Sequence, residues 1–309
     1  MKPFGVLLSL FLVLFMGYLL KRRGILHPSD SSVMNRLILD VTLPAFVFHA
    51  LYRQRVTEDM VHAAWLFAGL QVAVMALLWL PARLLRLPPP VMGTLLLTAV
   101  FGNTGFLGYP VVQAIFGKTE GAMAAAVVYD QFSVALTVYT VGIAVAMHYG
   151  SRYESHWREL LGFFRTPTFI VLLLTLLVNT LRLSVPPFLT YAAQLVAGAT
   201  VPLVLLSLGL MLEPARLRRN HYYLPMAIIL LVKMALFPYL MWLATGWAEV
   251  GGVARLVAVT QSAMPSAMVN AVITERYGCD HQLATLVIVV GTLLTLGVLP
   301  VTMTLLGVG

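Results

Sequence analysis

Apolar residues run along this chain in long blocks, and each block closes on charged residues, glycine or proline. The strict alternation of a half-buried strand is absent, so the blocks read as helices buried all round. Blocks long enough to cross about 30 Å of hydrocarbon at about 1.5 Å per residue fall at roughly 3–20, 33–52, 61–83, 92–115 and 121–148. Five more follow at roughly 166–181, 188–212, 222–246, 254–275 and 282–306. The pattern predicts an all-α chain of ten spanning helices. Connectors are short and rich in breakers, as in Arg86-Leu87-Pro88-Pro89-Pro90 and Val185-Pro186-Pro187, and leave no room for an extramembrane domain. The longest, about 149–165, is amphipathic and charged and sits midway. The expected organisation is therefore a five-helix unit over 1–150, a linker over 151–165 and a second five-helix unit over 166–309.

Composition agrees with this class. The 309 residues are 60% apolar and only 10% charged, with mean hydropathy +0.89, whereas globular domains carry about 25% charged residues. The single cysteine, Cys279, excludes a disulfide framework and a thiolate metal cluster. The first block has no small-residue cleavage site and ends in Lys21-Arg22-Arg23, which marks a spanning helix rather than a removable leader. The 20 Lys+Arg against 12 Asp+Glu lie mostly in connectors and report topology, not nucleic-acid binding. Odd-numbered connectors hold 13 bases and the other side 6. Positive connectors stay in the cytoplasm, so a multi-pass protein with both termini outside the cytoplasm is expected.

The second block contains Val41-Thr42-Leu43-Pro44 and the seventh Ala199-Thr200-Val201-Pro202. Blocks four and nine are each interrupted at mid-length, by Phe101-Gly102-Asn103-Thr104-Gly105-Phe106-Leu107-Gly108-Tyr109-Pro110 and by Gln261-Ser262-Ala263-Met264-Pro265-Ser266-Ala267-Met268-Val269-Asn270. A five-span unit repeated once reverses its orientation, which gives the inverted repeat of many secondary transporters. Asn103 lies about ten residues, or about 15 Å, from one end of its span, and Pro265 lies about as deep in its own. Backbone groups freed there persist only under cover of protein or a water-filled cavity, and helix N-termini meeting at such a place would seat a carboxylate. The candidate substrate site comprises Thr42, Asn103, Thr104, Gly105, Ser262, Met264, Ser266 and Asn270. Helix breaks are expected at Pro44, Gly102, Pro110, Pro202 and Pro265.

Three charges, Asp40, Asp130 and Lys233, fall inside spans, where each costs at least about 2.5 kcal/mol on insertion scales. Asp130 and Lys233 reach similar depth and could pair. Asp130, Ser133 and Thr137 share one helical face. Two readings stand side by side: Asp130 carries a coupling proton or sodium ion, with Lys233 as its partner or as a counter-charge for substrate, or the two form a static ion pair. Asp40, nearer a span end, is read as structural. Histidines 49, 62, 148 and 156 have no metal-site spacing, and Gly209, Gly246, Gly291 and Gly297 are expected to admit close helix packing.

At these residues the chain resembles the auxin efflux carrier family, which includes the plant PIN-FORMED carriers and bacterial organic-acid permeases. The likeness rests on Asn35-Arg36-Leu37 before Val41-Thr42-Leu43-Pro44-Ala45, on the Gly102–Gly108 break with Pro110, and on Met264-Pro265 followed by Glu275-Arg276-Tyr277-Gly278. The resemblance implies ten helices in two inverted repeats crossing at spans four and nine, scaffold and transport domains moving as an elevator, and carriage of small organic anions such as malate, malonate or auxin-like acids across a cell membrane, often as a homodimer. Plant members carry a long central loop that this chain lacks, which fits a prokaryotic type. No cofactor is implied. The alternatives are a sodium- or proton-coupled antiporter or symporter of bile-acid-carrier type, and an intramembrane enzyme. Against the enzyme stands the absence of H-E-x-x-H, of G-x-S-x-G and of paired carboxylates at catalytic spacing.

Overall fold

The computed structural model describes residues 3–151, 162–212 and 222–307. Its helices are α1 (Pro3–Arg22), α2 (Asp30–Leu51), α3 (Glu58–Leu84), α4 (Pro89–Val100), α5 (Thr104–Phe116) and α6 (Ala122–Tyr149). They continue with α7 (Pro167–Thr180), α8 (Pro187–Met211), α9 (Tyr223–Trp247), α10 (Gly252–Ser262), α11 (Val269–Tyr277) and α12 (His281–Leu305). Six of them, α2, α3, α6, α8, α9 and α12, are long and apolar enough to cross a membrane, so this is a multi-pass membrane protein. No strand occurs among the described residues. Most of the linker expected over 151–165 lies outside the described residues, as do Arg216, Arg218 and Arg219.

Local chemistry sets the helix ends. Proline opens α4, α7 and α8, where its missing N–H costs nothing and its φ is already helical. Side-chain oxygens of Thr57, Thr166 and Asp280 accept from the backbone N–H groups of Met60, Phe169 and Leu283 at 3.4, 3.3 and 2.9 Å, and so cap α3, α7 and α12. Wide π-type turns interrupt the long helices at Ile38–Thr42, Asp130–Ala135, Val138–Gly142 and Val232–Leu236, and a fifth, Thr104–Gly108, opens α5. Such turns often mark functional positions. Here they carry Thr42, Thr104, Asp130 and Lys233.

Two groups of helices result. In the first, α1 lies along the second half of α8, and the second half of α2 packs between α7 and the first half of α8. Glycine permits the α1–α8 approach: a Cβ on Gly209 would fall on the Leu14 carbonyl oxygen and 2.8 Å from the Tyr18 nitrogen, and one on Gly17 would fall on the Leu206 carbonyl. Gly209→Ala is therefore expected to destabilise the protein by about 1–3 kcal/mol, read as a lower midpoint of thermal unfolding in detergent. An unchanged midpoint would mean that the two helices part without cost. Gly291 likewise abuts Pro265 and Gly246 abuts Arg255, whereas Gly297 has open space beside it. The expectation of close packing at Gly297 is thus corrected.

The second group is built around α4, α5, α10 and α11. Helices α3 and α6 pack on α10, while α9 and α12 pack on α4. The two T-x-P segments belong to the first group and meet there, the Thr200 hydroxyl donating to the Thr42 carbonyl at 3.0 Å.

Candidate functional site

The runs expected to break do break. Helix α4 stops at Val100 and α5 begins at Thr104; α10 stops at Ser262 and α11 begins at Val269. The two gaps lie against each other as a short antiparallel bridge between Gly102 and Ser266. Asn103 N–H donates to the Pro265 carbonyl at 2.7 Å and Ala267 N–H to the Phe101 carbonyl at 2.9 Å. Each gap thereby satisfies backbone groups that the other exposes, which apolar surroundings would otherwise penalise by several kcal/mol apiece.

Four helix ends meet at this crossing, and side chains bond the backbone of the two C-terminal ones. The Asn270 amide donates to the carbonyls of Leu97 and Phe101 at 3.3 and 3.2 Å, and the Ser266 hydroxyl donates to the Thr98 carbonyl, which together cap the C-terminus of α4. The Lys233 ammonium donates to the Ser262 carbonyl at 3.0 Å, at the C-terminus of α10. The Asp130 carboxylate receives hydrogen bonds from the hydroxyls of Thr104 and Tyr109, the latter at 2.8 Å, and from the Gln131 amide at 2.9 Å, beside the N-terminus of α5. A cation at a C-terminus and an anion at an N-terminus match the helix dipoles. Neither N-terminus, that of α5 or that of α11, has a side-chain cap.

Asp130 and Lys233 therefore do not pair. Lys233 bonds the Ser262 carbonyl while Asp130 is held by Thr104, Tyr109 and Gln131, and the ion pair drawn from their similar depth is corrected. Lys233 is wholly buried, 4.5 Å from the Phe237 ring centroid and 5.4 Å from that of Phe67. A Cβ on Gly102 would lie 2.9 Å from its Nζ, so glycine at 102 makes the space the ammonium occupies.

Several buried polar atoms at the crossing have no partner among the described residues: Asn103 Nδ2, Asn270 Oδ1, and both amide atoms of Gln261. Of the residues singled out by sequence, Gly102, Asn103, Ser262, Met264, Pro265, Ser266, Asn270 and Lys233 converge here. Thr104, Gly105 and Asp130 form an adjoining cluster with Tyr109 and Gln131. Pro110 sits within α5, just after its opening π-type turn, and the helix continues through it, so the break expected at this residue is corrected. Thr42 is placed instead at the α2–α8 contact, with Pro44 beside it and Pro202 exposed in the middle of α8; α2 and α8 continue through these prolines, so the breaks expected there are corrected. Ser133 bonds within its own helix to the Tyr129 carbonyl, and Thr137 bonds across to Gln71 at 2.6 Å. Asp40 is exposed at the middle of α2, in the wide turn Ile38–Thr42, and not near a helix end as expected.

The sequence reading does not single out Gln261, Tyr109 or Gln131. Glutamine within an apolar block, next to a break, is the signal that would have found Gln261; its amide lies against Gly108, where a Cβ would overlap it. No cluster of three or more His, Cys, Asp or Glu side chains that could hold a metal exists among the described residues.

Known proteins resemble the chain over nearly its whole length. The chain is 31% identical over 300 residues to an uncharacterized transporter of Methanothermobacter thermautotrophicus, covering 95% of each. It is 27% identical over 289 residues to an uncharacterized transporter of Methanocaldococcus jannaschii, covering 92% of each. A putative malonate transporter of Rhizobium meliloti is 26% identical over 305 residues, covering 94% of this chain and 92% of that one. The family model described as membrane transport protein matches residues 4–303, and the chain belongs to that family of transporters, the auxin efflux carriers.

Proposed function

We infer that the protein is a secondary transporter that carries a small organic anion through the crossing of α4–α5 with α10–α11 by alternating access. The observation that carries this reading is the set of buried, unpartnered amide atoms of Asn103, Gln261 and Asn270 beside the buried Lys233 ammonium. A buried polar atom without a partner costs about 1–3 kcal/mol. A carboxylate that accepts from the donors among them, Asn103 Nδ2 and Gln261 Nε2, removes their cost only while it is bound, and a charge-assisted bond to Lys233 adds to the gain. The malonate named for the Rhizobium meliloti relative is an anion of the required kind.

An inverted five-helix repeat supports the motion. Left-handed backbone recurs at Gly24 and Arg182 with the same 158-residue separation as Thr42 and Thr200, and it recurs again at Gly121 and Gly278. The reciprocal packing of α3 and α6 on α10, and of α9 and α12 on α4, has the same symmetry. In this reading the group of α1, α2, α7 and α8 is the scaffold, and the second group slides past it as an elevator. The basic connectors face the cytoplasm, with both termini outside.

Asp130, held at the N-terminus of α5, is the coupling group in this scheme. Proteoliposomes loaded on one side and given labelled malonate or benzoate test the function, with saturable uptake as the expected result; diffusion alone for a broad panel of acids would reject it. Asp130→Asn is expected to leave uptake indifferent to an imposed pH or sodium gradient. Unchanged gradient dependence would assign Asp130 to structure.

A further inference from the structure

Toward its C-terminal end α3 carries a stripe that no other helix covers. Val72, Ala76, Trp79 and Arg83 follow i, i+4, i+7 and i+11 spacing and all four are exposed, so they share one helical face. The stripe runs about 16 Å. That is the depth of one leaflet, half of about 30 Å of hydrocarbon. Ala76 leaves a shallow place between two larger side chains, and Arg83 makes the end of the stripe basic.

The basic end is braced from a second helix. The Arg83 guanidinium lies over the Trp79 ring, 5.1 Å from its centroid, and the Trp79 indole N–H donates to the Tyr149 hydroxyl at 2.8 Å. Tyr149, at the end of α6, is itself seated on α4: a Cβ on Gly93 would lie 2.7 Å from the Tyr149 Cβ. Its hydroxyl accepts from the indole, and among the described residues its own proton has no acceptor. Guanidinium and hydroxyl meet the same indole, so they lie at most about 10 Å apart, and a phosphate that accepts from both spans about 8 Å.

Charge at this corner is one-sided. Arg86, whose N–H donates to the Arg83 carbonyl at 3.0 Å, adds a second guanidinium, and neither arginine forms an ion pair among the described residues. No acidic residue occurs between Asp59 and Glu120. The Asp280 carboxylate, which opens α12, already accepts from the Tyr222 hydroxyl and the Leu283 N–H.

We propose that this stripe holds one anionic phospholipid, its phosphodiester between the Arg83 guanidinium and the Tyr149 hydroxyl and an acyl chain along Trp79, Ala76 and Val72. Arginine gives phosphate paired, charge-assisted N–H bonds. A headgroup of the phosphatidylglycerol type leaves both arginines free of a second cation, whereas phosphatidylcholine brings an ammonium against them. The seat adjoins the crossing helices. Asp280 N–H donates to the Pro90 carbonyl at 3.1 Å and Ser151 N–H to the Gly278 carbonyl at 3.2 Å, so Tyr149 stands at the joint where α4 begins and α11 ends.

Native mass spectrometry of the full chain in detergent, with phosphatidylglycerol and phosphatidylcholine added at equal concentration, tests this. Wild-type protein is expected to retain phosphatidylglycerol at least about tenfold better. Arg83→Gln should weaken that retention about tenfold. Tyr149→Phe, which alters no charge, should weaken it about threefold. Thermal unfolding of each variant without lipid checks that it folds. Where one does not, glycerol phosphate added to the wild-type protein decides: it carries the phosphate without the chains and should fail to displace the lipid. Equal retention of the two lipids, unchanged retention in either folded variant, or displacement by glycerol phosphate would overturn the proposal.

Discussion

Lys233→Met is expected to lower uptake of a labelled carboxylate by about a hundredfold or more, while the protein stays folded and its thermal midpoint holds or rises. The two halves of this expectation have separate physical causes. Removing one member of a desolvated charge pair costs about 2–5 kcal/mol, and Lys233 is the cation at the crossing that a bound anion would meet. From the protein itself, however, the ammonium has one acceptor, the Ser262 carbonyl, and two aromatic faces. A buried charge so sparsely served is often replaced by an apolar side chain of similar length without loss of stability. Measuring uptake and unfolding on the same preparation separates the cases. Wild-type uptake together with a lowered midpoint would make Lys233 a structural strut for the end of α10.

The two crossing asparagines are expected to differ from each other. Asn103→Ala removes an amide whose Nδ2 has no partner, so stability should change by less than about 0.5 kcal/mol while uptake falls about a hundredfold. Asn270→Ala removes the donor that serves the Leu97 and Phe101 carbonyls. It should cost about 1–3 kcal/mol as well as abolish uptake. Thermal unfolding of the two variants side by side, with uptake in proteoliposomes, checks this. Equal loss of stability would mean that the Asn103 side chain has a structural partner, and equal retention of transport would move the site away from the crossing.

The all-helical membrane class was legible because lipid imposes coarse rules on sequence. Apolar block length located the helices, and glycine and proline at mid-depth located the two gaps, because both weaken a helix interior. The network inside the crossing was much less legible. Asp130 and Lys233 stand at similar depth, and depth alone suggests a pair; which helix end each one serves depends on how α6 and α9 rotate against the gaps. The same limit applied to Thr42, whose T-x-P context marks a packed threonine as readily as a binding one. Gln261 escaped notice because one buried amide does not disturb an apolar block. The proposed lipid seat at the end of α3 was hidden for another reason: its hydroxyl comes from Tyr149, 70 residues beyond Trp79 in the chain, and no local pattern couples the two.

Solid-state NMR on the protein in lipid, with the acid labelled by carbon-13 at its carboxylate and nitrogen-15 placed in the Lys233 ammonium and the Asn103 amide, measures the contact on which transport at the crossing depends. The expected result is a dipolar coupling that puts the carboxylate within hydrogen-bond reach of at least one of these nitrogens. A bound and transported acid whose carboxylate couples to neither would contradict it.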